Sequence, residues 1–288
     1  MPLIWRRLPA WVSLMGELEF FMKVALTCAI FQEIFSFVFA GRQFDFWSQV
    51  LIYWGVGSVS YYLLGFLIER GIKRHSALKD RLCIRATPVR PQAFPAFTLK
   101  GILLGEIRGF LAALVIIGIT RPVEREPDFL ANVAWFFASI VLADFLFYVQ
   151  HRMLHRKKFF KIHRRHHEFR DTSSFVAGHK SFTEYCLTSV TDLALFLILG
   201  RDLAQLCAWT LVGNAYNLEG HSSLSLFYVG TDFHDRHHTH FNRNFGIQGF
   251  WDKIFGTHEC ASMNQGALFL ANRFTRWVNT RIAPRATP

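Results

Sequence analysis

The chain has 288 residues, 51% hydrophobic, 16% aromatic and only 18% charged, with a mean hydropathy of +0.21. Such a chain has enough apolar surface to fold, which excludes a disordered or linker protein, and its charge falls below the ~25% of an ordinary soluble globule. The 32 Lys+Arg against 21 Asp+Glu leave +11, an excess suited to the anionic face of a membrane; the apolar composition favours that surface and argues against nucleic acid.

Met1 to Glu19 mixes Arg6, Arg7, Glu17 and Glu19 with aromatics and has no uncharged core of the kind a signal peptide needs. Val24 to Ala40 is apolar apart from Gln32 and Glu33, and Trp47 to Ile68 runs without a charge for twenty-two residues, long enough to cross a hydrocarbon core of about 30 Å. The short Arg42 to Asp45 connection predicts a hairpin of these two spans. Ile102 to Thr120 is a third span despite Glu106 and Arg108 in its first turns, and Phe129 to Gln150 is a fourth, with Asp144 as its only charge. Glu69 to Lys100 carries eight bases against two acids, whereas Arg121 to Asp128 carries two against three. The positive-inside bias therefore places the first stretch in the cytoplasm and delivers residue 151 there too. Tyr185 to Gly200 and Leu203 to Tyr216 are apolar but short, which fits a re-entrant or interfacial hairpin or one extra pair of spans. The expected fold is all-α, an integral membrane protein of about four transmembrane helices with a cytoplasmic His-rich helical cap. It forms a single membrane-embedded domain over 1–288, with a four-span region at 24–150.

The five cysteines are odd in number and show no C-x-x-C spacing, so neither a disulfide framework nor a thiolate metal site is expected. Histidine carries the chemical signal. All but His75 of the thirteen fall between His151 and His258, and most form boxes: His151-x3-His155, His163-x2-His166-His167, a lone His221, and His234-x2-His237-His238. Three- and four-residue spacings bring imidazoles to one helical face, where they can share a metal ion or bridge a pair. Basic surface helices would account for the neighbouring Arg and Lys, but not for the repeated register. Imidazoles without Cys suit iron, zinc or copper. A hydrolytic zinc site normally has three protein ligands and a carboxylate base, as in H-E-x-x-H, which is absent; so many imidazoles fit a dinuclear centre, best of all two irons.

Asp144-x3-Tyr148-x2-His151-x3-His155, the His163 and His234 boxes, Asn242-x3-Phe245-Gly246 and the closing Trp251-Asp252-x3-Gly256-Thr257 together resemble the fatty acid hydroxylase superfamily, also called the sterol desaturase family, over residues 129–257. Ser173-Ser174-Phe175, Glu184 and Glu219-x-His221-Ser222 are similar to its branch containing cholesterol 25-hydroxylase and the sterol C4-methyl oxidases. The resemblance implies a multi-pass membrane di-iron oxygenase, in a bacterial inner membrane or the endoplasmic reticulum, with its active site on the cytoplasmic face. It would use O2 and electrons from an external donor such as a cytochrome b5 or ferredoxin to hydroxylate or oxidise a sterol or fatty-acyl C–H bond. A desaturase on the same scaffold is the alternative, and a metal transporter or a haem protein are the more distant ones. Carried over by position, the ligands are His151, His155, His163, His166, His167, His221, His234, His237 and His238. Several fatty-acyl members have H-x-x-x-H where this chain has Asn217-x3-His221, so Asn217 or His179 is a reserve ligand. Asp144, seven residues before His151, is expected to accept a hydrogen bond from a ligand imidazole. Glu168, Glu219 and Asp235 are either similar partners or surface charges. His75, His240 and His258 are expected to be peripheral.

Overall fold

A computed structural model describes residues 10–75, 99–123, 128–169, 173–199, 202–224, 226 and 231–259. Among them the chain is helical, with no strand. Helix α1 runs Ala10–Phe39, α2 Phe46–Phe66 with a π-helical extension over Leu67–Ile72, α3 Leu99–Thr120 and α4 Phe129–Leu154. All four are long and apolar enough to cross a membrane, α1 from Glu17 onward. The first span therefore starts well before Val24. Asp45 begins α2 by accepting from the Ser48 N–H at 2.7 Å, and Asp128 begins α4 by accepting from the Ala131 N–H at 3.1 Å, each satisfying a donor that the first turn leaves without a helical partner.

The outer faces explain the composition. Ile30, Ile34, Phe37, Leu51, Leu63, Leu103, Ile107, Leu111 and Val115 are all exposed, an apolar surface that lipid, and not water, solvates. The inner face of α1 is built from Phe20, Phe21, Val24, Ala25, Cys28 and Ala29, which bury against Phe136 and Ile140 of α4. The small residues of that set let the backbones approach closely.

After α4 come a short helix α5 (Phe160–His163), 3₁₀ turns at His166–Glu168 and Ser174–Gly178, and a second apolar pair, α6 (Phe182–Leu199) and α7 (Leu203–Gly220). This pair starts and ends at the His-bearing end of α4, and Asp202 at its turn accepts from Gln32 Nε2 at 3.2 Å, well along α1. It thus enters the bundle and returns to the side it came from. Helix α7 packs against both α1 and α2, and Ala208 and Val212 bury with α1 while Leu206 and Cys207 bury with α2. The expected hairpin of the first two spans is accordingly splayed: α1 and α2 meet near their connection, through Phe35, Phe39 and Phe44, and α7 fills the rest of the gap. Helices α8 (Thr231–His240) and α9 (Phe250–Ile254) complete the cap, and Lys253 of α9 pairs with Glu17 at the start of the first crossing. Arg70, Lys73, Arg74 and Lys100 end α2 or begin α3 at the cap; the loops around Arg81 and Arg125 lie outside the described residues.

Candidate metal centre

Four elements deliver imidazoles to one place. The last turn of α4 presents His151 and His155, α5 and the turn after it present His163, His166 and His167, the end of α7 presents His221, and α8 presents His234, His237 and His238. The ring nitrogens sort into two groups, His151, His155, His163, His167 and His237 in one and His166, His221, His234 and His238 in the other, with all atoms of a group within 4.8 Å of one another. In the first, Nε2 atoms face each other at 3.0 Å (His151–His163), 2.9 Å (His163–His167) and 3.2 Å (His155–His167 and His167–His237). In the second the separations are 3.3 Å (His166–His221), 2.9 Å (His221–His234) and 3.1 Å (His234–His238). The groups adjoin, with the His167 and His238 ring centres 4.6 Å apart. Each H-x-x-H-H box is split: its (i, i+4) pair enters one group and its middle imidazole the other.

The outer nitrogens decide what the inner ones can do. His151 Nδ1 is 2.8 Å from the Phe245 carbonyl, His221 Nδ1 2.7 Å from that of Asn217, and His237 Nδ1 2.7 Å from that of Arg243. A carbonyl can only accept, so these Nδ1 atoms carry the proton, and each Nε2 turns a lone pair inward. His163 Nδ1 faces the Glu184 carboxylate at 2.8 Å in the same way. His151 and His163 therefore oppose lone pairs at 3.0 Å, an arrangement that a cation between them resolves. The set is all imidazole, buried except for the half-buried His155, with four members oriented by acceptors, and it fits a transition-metal ion in each group.

Charge points the same way. Burial first, then neighbouring imidazoles, hold His163, His166, His167, His234 and His238 well below the ordinary histidine value. His155 falls to about 3 through burial and the His237 ring, while His221 falls to about 3 and His237 to about 4 through burial, partly offset by the carbonyls that accept from them. They stay neutral at pH 7, as metal ligands must.

The supporting residues differ from expectation in instructive ways. Asp144 touches no imidazole: its Oδ1 accepts from the Ile247 N–H at 2.6 Å and the Gln248 N–H at 3.4 Å. Asp252 accepts from the Phe245 and Gly246 N–H groups at 2.8 and 2.7 Å and from Thr257 at 2.6 Å. The two carboxylates pin the segment whose Phe245 carbonyl orients His151. A Cβ on Gly246 would lie 2.7 Å from Asp144 Oδ1 and 2.9 Å from Asp252 Oδ2, so this close approach needs glycine. His179 stands outside both groups, 2.9 Å from the Glu168 carboxylate, and Asn217 serves His221 through its carbonyl. Glu219 accepts from the Leu226 N–H at 2.8 Å and Asp235 is buried in α8; neither is a ligand of these groups. His240 pairs with Glu259 at 3.0 Å, His258 stacks on Phe233 and His75 is exposed at the end of the α2 extension. Among the described residues Glu184, which spacing alone does not single out, is the one carboxylate whose contact with a clustered imidazole is direct.

A cavity of about 440 Å³ opens beside the second group, with His221, His234 and Asn217 in its wall, and continues between α2, α3, α6 and α7. Helix α3 contributes Gly101, Gly105 and Gly109, and α2 and α7 contribute Gly57 and Gly213, so absent side chains make much of the space. Residues 136–257 match the family model for fatty acid hydroxylase. Over this stretch the chain is similar to the fatty acid hydroxylase family. The chain is 28% identical over 143 residues to human fatty acid hydroxylase domain-containing protein 2, covering 47% of this chain and 42% of that protein. It is 29% identical over 145 residues to methylsterol monooxygenase 1 of Gallus gallus (46% and 49%) and 32% identical over 161 residues to a putative methylsterol monooxygenase of Dictyostelium discoideum (51% and 59%). The chain thus spans about half the length of these curated relatives. No solved structure matches it.

Proposed function

We propose that this chain is a membrane-bound di-iron oxygenase that hydroxylates or oxidises a C–H bond of a lipid, sterol or fatty-acyl, with spans and cap forming one membrane-embedded unit. The observation that carries the reading is the meeting of nine inward-facing imidazoles, in groups of five and four, with a largely apolar cavity among membrane helices. All nine clustered histidines are the proposed ligands. Two irons held there supply, with O2, two electrons from an external donor and two protons, the oxidising power to place one oxygen atom in a C–H bond and release the other as water.

The chain's own residues make that chemistry selective. Carbonyls of Phe245, Asn217 and Arg243 and the Glu184 carboxylate fix the imidazole tautomers, and Asp144 and Asp252 fix the segment bearing one of those carbonyls. His221 and His234 are the clustered imidazoles in the cavity wall, so the lipid carbon approaches from the four-imidazole side. The cavity keeps that carbon away from bulk water. The bases at the cap end support a cytoplasmic cap, and complementary charge there would speed encounter with an acidic donor such as a cytochrome b5 or ferredoxin. Labelling of an Arg156→Cys thiol from the opposite side of the membrane would overturn that orientation.

His166→Ala and His237→Ala each remove one imidazole from a different group. Both purified variants are expected to hold less iron and lose O2-dependent lipid oxidation while remaining membrane-inserted, and His75→Ala is expected to do neither. Full iron and full product formation in both cluster variants would refute the di-iron reading.

A further inference from the structure

The end of the cavity away from the histidines is polar, in a region where every polar side chain costs free energy unless it has work to do. Its centre is Asp192, on α6 two turns beyond Glu184. The Asp192 side chain is exposed, yet it stands among the membrane helices in the wall of the cavity, so the surface it shows is cavity surface. The Trp209 indole of α7 lies near the carboxylate, and Lys180 acts on it electrostatically without an ion-pair contact. A carboxylate has about four acceptor sites, so one indole leaves most of them directed at whatever fills the cavity. Tyr53 and Tyr185 line the same cavity, near enough for their hydroxyls to feel the charge of Asp192. The Tyr53 hydroxyl accepts from Thr210 Oγ1 at 3.0 Å and keeps its own proton to donate.

We infer that Asp192 and Tyr53 form a receptor for the hydroxyl group of a lipid alcohol, bound at the end of the cavity remote from the metal centre. A hydroxyl group is the partner with both a proton for Asp192 and a lone pair for Tyr53. An ether lacks the donor, an ammonium lacks the acceptor, and a fatty-acid carboxylate is repelled by Asp192. Glu184 contacts His163, and Asp192 follows eight residues later, about 12 Å along the helix axis. The recognised hydroxyl and the oxidised carbon therefore lie at opposite ends of the bound molecule. That last statement rests on the di-iron reading; the recognition of the hydroxyl does not.

The test is equilibrium binding to the full chain in nanodiscs, using tritiated cholesterol, 1-octadecanol, the methyl ether of each, and stearate. The wild type is expected to bind at least one alcohol about tenfold or more tightly than its methyl ether, the usual worth of a charge-assisted hydrogen bond, and to bind stearate weakly. The sterol and straight-chain arms tell which carbon skeleton the cavity takes. Asp192→Leu should abolish the preference for alcohol over ether, Asp192→Asn should reduce it, and Tyr53→Phe, which removes a donor that either oxygen can use, should weaken alcohol and ether alike. Iron content of the same samples checks that each variant is folded, and iron-free wild type that still prefers the alcohol would sink the di-iron reading alone. Equal binding of alcohol and ether by the wild type, or a full preference retained in Asp192→Leu, would overturn the receptor.

Discussion

Glu184 shows how much of the centre depends on atoms one step outside it. Its carboxyl, pushed up to about 7 by burial and drawn back by Lys180 and a Ser181 hydrogen bond, faces the outer nitrogen of His163. Such partners typically account for 10- to 100-fold in metal affinity. Glu184→Ala is accordingly expected to weaken iron binding by about that factor in a competitive chelator titration, and Glu184→Gln, which keeps an acceptor oxygen, by less. An unchanged affinity in Glu184→Ala would remove it from the centre. The clustered histidines are legible in sequence because imidazole is rare and the spacing repeats. The acceptors that orient them are not: Phe245, Asn217 and Arg243 act through carbonyls that every residue owns, and Asp144 finds its backbone donors at Ile247 and Gln248, 103 and 104 residues away. Helical periodicity places Asp144 on the face of His151, but where it predicts a ligand imidazole as partner the carboxylate takes backbone N–H groups.

At the scale of elements, α8 serves both groups, as the turn after α5 also does, since it gives His237 to one and His234 and His238 to the other. Helix α4 gives His151 and His155 to the first alone. Proline within a helix removes a hydrogen bond and clashes with the preceding turn, costing about 3 kcal/mol. Asp235→Pro should therefore strip both ions, whereas His155→Ala, which leaves four imidazoles in its own group and all four in the other, should retain at least one; metal analysis of the two purified variants decides. The four long spans follow from hydropathy because lipid selects on composition and length. Which helices touch does not follow, because apolar faces in lipid are chosen by shape: Ala208 and Cys207 are small enough to let α7 slip between α1 and α2, and no pattern within α1 or α2 announces it.

For the whole molecule, the cluster stores charge that it refuses to take up. His155, His221 and His237 are lowered to about 3, 3 and 4 in the folded chain, against ~6.5 once unfolded. Below that unfolded value the unfolded chain binds protons that the folded one does not, so stability is full above it and is lost as pH falls toward the folded values. The metal-free protein is expected to show a falling unfolding midpoint between about pH 7 and about pH 4.5 in detergent, with iron loading opposing the loss; a midpoint flat over that range would contradict the burial of these rings. The division of each histidine box between the two groups has a further result. On the di-iron reading, α8 and the turn after α5 serve both groups, so an ion bound in one would favour binding in the other. Occupancy would then rise steeply, and a cell short of iron would hold a mixture of empty and fully charged molecules with few carrying a single ion.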